Sequence, residues 1–340
     1  MRASERMSAV AKGEAVDRVP FVPTVYEHAA ALIGVTPSEM ARSADLIVQG
    51  QLKAHETYGH DLVVVGVDIY NIEAEALGTP VRYGTDAGVP ALAAHIVPDE
   101  ASLARLALPD PERSGRMPLL MDAAARIKEA LDGEVPVGAA AVGPFTLAAL
   151  LRGFEDLVLD MLTGVTFVDT LLDFTEEVCF TFGRAIAARG LGLSLNESWI
   201  TPPLLSPRLY AQYVFPRHKR LIARLRAGGA ENVSLISGGN TTPIVDWLVQ
   251  TGSSLLMADY GTDLSVYREK ARLAGIMIRG SIQAHLMEDG SREEIAAQAH
   301  QVLSAGAVPG SRFILGCGVL PYGADPRRVL YLKELAATYA

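Results

Sequence analysis

The stretch Glu231-Asn-Val-Ser-Leu-Ile-Ser-Gly-Gly-Asn-Thr241 is where this chain could build a site. It reads as a short buried strand, Val233 to Ile236, that runs into a Gly-Gly turn with Ser237, Asn240 and Thr241 just beyond. Polar groups past the carboxyl end of a parallel strand are where ligands collect in α/β sheets and barrels. The groups here are neutral. Leu235, Ser237 and Gly239 offer no thiol, imidazole or carboxylate, so no metal is expected. Comparable clusters end other strands: Tyr26-Glu27-His28, Asp68 and Asn71 followed by Glu73 and Glu75, Asn196-Glu197, Asp259, Gln283, and Gly316-Cys317-Gly318. Asn196 suits the edge of a heterocycle, because a carboxamide has a donor and an acceptor. Turn chemistry ahead of Pro202-Pro203 accounts for the Asn-Glu pair equally well.

These positions require strands alternating with helices. The β-branched run Asp61 to Val67 is the clearest strand, fit for burial on both faces. Further strands are expected at Phe21–Val25, Val135–Ala141, Gly192–Leu195, Val233–Ile236, Ser254–Ala258, Ile276–Gly280 and Arg312–Leu315. Helices are expected from Ser4 to Val16, Pro37 to Tyr58, Leu119 to Leu131, Ser206 to Leu225, Glu293 to Ala305 and Pro326 to Tyr339, with two more between Phe154 and Arg189. Residues Thr79 to Pro98 form a Gly/Pro-rich excursion that could hold a short hairpin. The count favours an α/β fold, a (β/α)8 TIM barrel in one domain over residues 1–340, with residues 1–17 as an N-terminal helix packed on it. An open doubly wound sheet is the alternative.

The bulk properties exclude several functions. The chain has 340 residues, 49% apolar, and a formal net charge of −9. No basic cluster suggests nucleic acid, and Arg217-His-Lys-Arg220 reads as a solvated helix face. Two distant cysteines, Cys179 and Cys317, fit a reducing cytoplasm, with Cys179 in the core. No signal peptide or membrane span is evident. His55 and His60, five apart, would point about 140° from each other on a helix of about 3.6 residues per turn, as surface histidines without a shared zinc. No GxGxxG, GxxxxGK[ST] or GxSxG motif supports nucleotide or serine-hydrolase chemistry.

The chain resembles the uroporphyrinogen decarboxylase superfamily. The likeness rests on Arg18-Val-Pro-Phe21, Glu73-Ala-Glu-Ala-Leu-Gly78, Gly143-Pro-Phe-Thr-Leu-Ala148, Ser206-Pro207 ahead of a helix with Pro216, and Gly316-Cys-Gly318, in that order. It implies a distorted (β/α)8 barrel with its site at the carboxyl mouth. The decarboxylase branch carries N-terminal arginines for a polycarboxylate porphyrinogen. Here Thr24-Val-Tyr-Glu-His-Ala-Ala30 has none, and many carboxylates without cations are electrostatically implausible. The chain is more similar to the cobamide-dependent methyltransferases. Their thiol-methylating members hold zinc by a His-x-Cys pair and a later Cys. Those positions fall on Leu235, Ser237 and Cys317, so one ligand of three remains.

The resemblance therefore implies methyl transfer to an acceptor that needs no zinc-bound thiolate. Tetrahydrofolate N5 fits, with 5-methyltetrahydrofolate as its methylated form and the cobalamin carried by a partner corrinoid protein. No Asp-x-His-x-x-Gly segment is present to bind a corrinoid directly. Asn196 and Asp259 are the expected catalytic residues. Tyr26, Asp68, Glu75, Asn196, Ser237, Asn240, Asp259, Gln283 and Cys317 are the expected substrate-binding set. Three rivals stand beside this reading: a decarboxylase or lyase using Asp68 or Glu75, a non-catalytic scaffold barrel, and a thiol methyltransferase with zinc on Cys317 and His28 or Glu27. The sequence leaves the oligomeric state, homodimer included, open.

Overall fold

The computed structural model describes residues 1–68 and 70–339. Ile69, within the expected Asp68–Asn71 strand tip, lies outside the described residues. Seven parallel strands follow one another around the sheet in chain order. They are β1 (Val63–Val65), β2 (Val137–Val142), β3 (Gly192–Asn196), β4 (Val233–Ile236), β5 (Leu255–Ala258), β6 (Met277–Ile282) and β7 (Phe313–Cys317). The register runs from Val63 against Val137 at one side to Ile282 against Cys317 at the other. With helices packed outside, this is the (β/α)8 barrel expected.

The eighth stave departs from expectation. Residues Phe21 to Thr24 make only two bridges, to Leu315 and Val319. Pro20 and Pro23 have no N–H to continue a ladder. The segment still closes the ring: Val22 N donates to Leu315 O at 2.7 Å, and Asp61 N donates to Phe21 O at 2.9 Å.

Strand alternation sorts the side chains into two cores. Phe313 and Leu315 join the outer core under the helices, whereas Ile314 faces the lumen. In β4, Val233 and Leu235 go outward, while Ser234 and Ile236 line the lumen. The N-terminal helix spans Ala3–Lys12, shorter than expected, because Gly13 ends it in a left-handed conformation. Its Met7 and Val10 pack against Val22, Leu255, Met277 and Ile314 at the amino-terminal end of the barrel. Arg6 pins it by ion pairs to Asp17 and Asp61.

Other helices break where local chemistry dictates. The expected Pro37–Tyr58 helix is two, Pro37–Met40 and Ala44–Tyr58, with Ser43 capping the second by accepting from Leu46 N. Residues Ile72–Ala76 form a short helix where strand-end groups were expected. The Ser206 helix passes through a π-helical turn, Tyr210–Val214, before Phe215–Ala227. Pro216 lacks the N–H that would bond back into the preceding turn. The short hairpin is present, pairing Val81–Arg82 with Ala91–Leu92.

Two sequence expectations are corrected. Gly59 adopts φ 52° after Tyr58, so His60 leaves the helix and folds back. Its ring lies 5.1 Å from that of His55, edge to face, and is buried. Burial, with His55 nearby, pushes His60 down to about 3. The Arg217–Arg220 segment is only half a solvated face, with Lys219 and Arg220 exposed. His218 is fully buried, Arg217 pairs with Asp169 and Asp173, and Arg220 pairs with Asp173 and Glu176. No described helix is long and apolar enough to cross a membrane.

Candidate functional site

The lumen opens at the carboxyl ends of the strands into a cavity of about 240 Å³. Its polar walls are Tyr26, Tyr70, Asn196, Ser198, Asp259 and Arg279, over an apolar floor that includes Val22, Val64 and Leu255. Each polar group arrives on a lumen-facing position of a strand or just past its end.

Asn196 ends β3. Its Nδ2 donates to Ala141 O at 3.1 Å and Ser194 O at 3.0 Å. Both donors are spent on backbone, so the carboxamide presents an acceptor, Oδ1, where the sequence suggested a donor and an acceptor. The neighbouring Glu197 points the other way. Its oxygens accept from Phe145 N, Thr146 N and Thr146 Oγ1 at the start of helix Pro144–Arg152, and His218 Nε2 lies 2.8 Å away. A carboxylate is favoured at a helix N-terminus. Gly143 makes room for it: a Cβ there would lie 2.4 Å from the Glu197 carboxyl carbon. Glu197 therefore braces the wall.

Asp259 follows β5. Its Oδ2 accepts from Gly239 N at 2.8 Å, and Oδ1 is buried without a hydrogen-bond partner. Asp259 also borders a second cavity of about 610 Å³, which Asn240, Ser281, Gln283, Gln298 and Gln301 help to line. Ser281 Oγ is buried and unpartnered there as well.

Arg279 is the site residue that sequence reasoning missed. It sits in mid-β6 beside Met257 of β5. Its Nη1 donates to Thr24 Oγ1 at 2.9 Å, Nη2 lies 2.7 Å from the Met257 sulfur, and Nε is buried without a partner. Burial pulls its pKa below the usual guanidinium value. The signal was present: an arginine inside an apolar strand is rarely buried without purpose. Tyr70, hydrogen-bonded to Ser198, falls within the expected Asp68–Asn71 strand tip but was not singled out.

The other expected residues are dispersed. Asp68 and Glu75 are both held by Arg116, through Nη1 and Nη2 to Asp68 at 2.7 Å each and Nε to Glu75 at 2.5 Å. Neither lines the cavity. Ser237 Oγ lies 2.9 Å from Thr201 Oγ1, and Thr241 is bonded to Tyr267. The Gly-Gly stretch is thus largely satisfied internally, with Asn240 and Gln283 facing the second cavity. Cys317 lies in the outer core, its thiol pushed up to about 12 by burial. Glu27, beside the mouth, is raised to about 7 by burial, and His28 is bonded to Tyr58 and the Tyr322 carbonyl.

The donor set does not fit the zinc that the resemblance would bring. Leu235 carries no donor and packs outward, Ser237 is engaged with Thr201, and Cys317 belongs to the outer core. Among the described residues, no three His, Cys, Asp or Glu side chains gather as metal ligands would.

Comparison with known proteins agrees with the architecture. The profile of the uroporphyrinogen decarboxylase (URO-D) family matches residues 2–339. A methylcobamide:CoM methyltransferase of Methanosarcina acetivorans is 24% identical over 323 residues, covering 93% of this chain and 92% of its own. A uroporphyrinogen decarboxylase of Syntrophotalea carbinolica is 26% identical over 304 residues, covering 87% and 84%. Among solved structures, a methyltransferase from Methanosarcina mazei superposes with a TM-score of 0.87 at 21% identity, covering 99% of this chain and 98% of its own. The chain belongs to the uroporphyrinogen decarboxylase family.

Proposed function

We propose that this chain moves a methyl group between a corrinoid carried by a partner protein and N5 of tetrahydrofolate, whose pterin head occupies the barrel mouth. The observation that carries this reading is the pairing of a half-satisfied carboxylate, Asp259, with a cavity that has no metal-ligand set. Zinc serves such chemistry by turning a weakly acidic thiol into a thiolate near neutral pH. A ring nitrogen needs no such help. Asp259 Oδ1 and Asn196 Oδ1 are acceptors, matched to the N–H groups of a reduced pterin.

Size supports the same division of labour. The 240 Å³ cavity falls below the range of about 300–1,000 Å³ typical of ligand pockets, so it takes a compact head and not a macrocycle. The corrinoid then meets the acceptor from outside, over the strand ends. The N5 lone pair forms the N–C bond as the Co–C bond breaks, with that bond's electrons passing to cobalt, and N5 releases its proton. In the reverse direction N5 is protonated before it leaves. The protein orients the ring and excludes water from it. The decarboxylase alternative loses its proposed acid and base, because Asp68 and Glu75 are both tied to Arg116.

Calorimetric titration with 5-methyltetrahydrofolate tests the reading, with coenzyme M titrated alongside. Wild-type protein should bind the folate saturably and Asp259→Ala should bind it at least about tenfold more weakly, the scale of one hydrogen bond to a charged group. Coenzyme M binding by protein that carries one zinc per chain, with no folate binding, would overturn it in favour of the chemistry named for the Methanosarcina acetivorans relative.

A further inference from the structure

We propose that Asp259 and Arg279 together read one edge of the acceptor ring, Asp259 taking two adjacent N–H groups and Arg279 donating to the oxygen beside them. This rests on the folate reading and adds the ring's orientation and the residue that selects its 4-oxo group. A reduced pterin presents, in order, an oxygen at position 4, N3–H and the 2-amino group. An anion facing the two donors and a cation facing the oxygen complement that edge.

Three observations converge. The first is charge. Arg279 is 7% exposed and makes no ion pair among the described residues; Asp259 acts on it only at a distance. A buried charge without a partner is costly, and a thioether is a weak acceptor for one of its donors. The second is unspent valence. Arg279 Nε and Asp259 Oδ1 are both buried without partners at the wall of one cavity. The third is placement. Met257 and Arg279 are paired across β5 and β6, and Asp259 lies two residues beyond Met257, on the same lumen-facing side and one layer nearer the mouth. The two groups are side by side on adjacent staves. They do not pair with each other, which leaves both for a ligand.

The backbone keeps the arginine in this position. Gly316 of β7 lies against it, and a Cβ there would come within 3.0 Å of Arg279 Cδ and 2.6 Å of Val22 O. A larger residue would press on the Val22 carbonyl and on the aliphatic stem of the arginine. Asn196 Oδ1, on β3, offers a further acceptor for an N–H elsewhere on the ring.

A 4-thioxo analogue of 5-methyltetrahydrofolate separates the alternatives, because it keeps N3–H and the 2-amino group for Asp259 and replaces the oxygen facing Arg279 with sulfur, a much weaker acceptor. The analogue and the natural compound are titrated into wild type, Arg279→Met and Arg279→Gln, with thermal melts to show that each variant is folded. Wild type should prefer the 4-oxo compound by about 10–150-fold, the span of one hydrogen bond to a charged group. Arg279→Met should weaken the 4-oxo compound by a similar factor, leave the 4-thioxo compound within about threefold, and so abolish the preference. Should the methionine variant not fold, the glutamine variant and the wild-type preference carry the same test. Equal folate binding by wild type and the Arg279 variants, or a preference that survives them, overturns this inference and leaves the folate reading standing. Absence of binding by either compound to wild type removes the folate reading and the inference with it.

Discussion

Two arginines in this molecule are equally buried, each 7% exposed, and they are held in opposite ways. Arg116 meets the Asp68 carboxylate with two nitrogens, Glu75 with the third, and the face of Tyr83 at 5.4 Å. Arg279 has a threonine hydroxyl, a methionine sulfur and an empty Nε. Two carboxylates repeat the contrast. Glu197 accepts from the backbone of a helix start, a hydroxyl and lies against His218, while Asp259 keeps one oxygen unpartnered. The satisfied members lie behind the walls, and the unsatisfied members line the cavity. Burial alone therefore does not mark a functional charge. Among these four groups, a hydrogen bond left unmade at the cavity wall does.

The contrast can be broken most directly at the arginines. Arg116→Met leaves Asp68 buried and unpaired, and should cost about 3–5 kcal/mol in urea unfolding. Arg279→Met removes a buried charge that has no ion pair, and should leave unfolding stability unchanged or raised. Equal losses for the two variants would mean that Arg279 is structural after all. The carboxylates sharpen the same point on a smaller scale. Glu197→Gln should cost about 2–3 kcal/mol, since it weakens several charge-assisted hydrogen bonds at once. Asp259→Asn should cost under about 1 kcal/mol while losing folate affinity, because its one protein hydrogen bond to Gly239 can be kept.

Glu73 gives an effect that depends on pH. One oxygen accepts from Val142 N at 2.7 Å, the other is unpartnered, and burial raises the carboxyl from 4.5 to about 8. The folded state therefore binds a proton that the unfolded chain releases between pH 4.5 and 8. Stability falls as pH rises through that window. Glu73→Gln should flatten the fall by about 3 kcal/mol between pH 5 and 8, read from denaturation midpoints. An unchanged pH profile would show that Glu73 is paired in solution.

Much of the barrel was legible because its signals are local. Strand β4 was read at its observed limits from a four-residue apolar-polar run bounded by glycines. The residues Tyr26, Asn196 and Asp259 were legible as strand-end groups, and the cavity gathers all three. Asp68 and Glu75 had the same local signature but were drawn away by Arg116, which is 48 residues from Asp68. His60 was misread because one glycine after a helix changed the geometry that the spacing assumed. Arg279 was passed over because a site was sought at strand ends, and it stands one layer below them.

The sequence by itself determined the order of strands and helices, the side of each strand that faces the lumen, and the absence of an imidazole or thiol at Leu235 and Ser237. These follow from residue type and period. The tertiary structure decided which polar groups remain free. Whether a carboxylate or a guanidinium is spent depends on partners brought from distant parts of the chain: Arg116 for Asp68, the Pro144 helix start for Glu197, and, for Arg279, a threonine hydroxyl and a methionine sulfur in place of an ion pair. Charge compensation is a property of position in space, and spacing along the chain does not encode it.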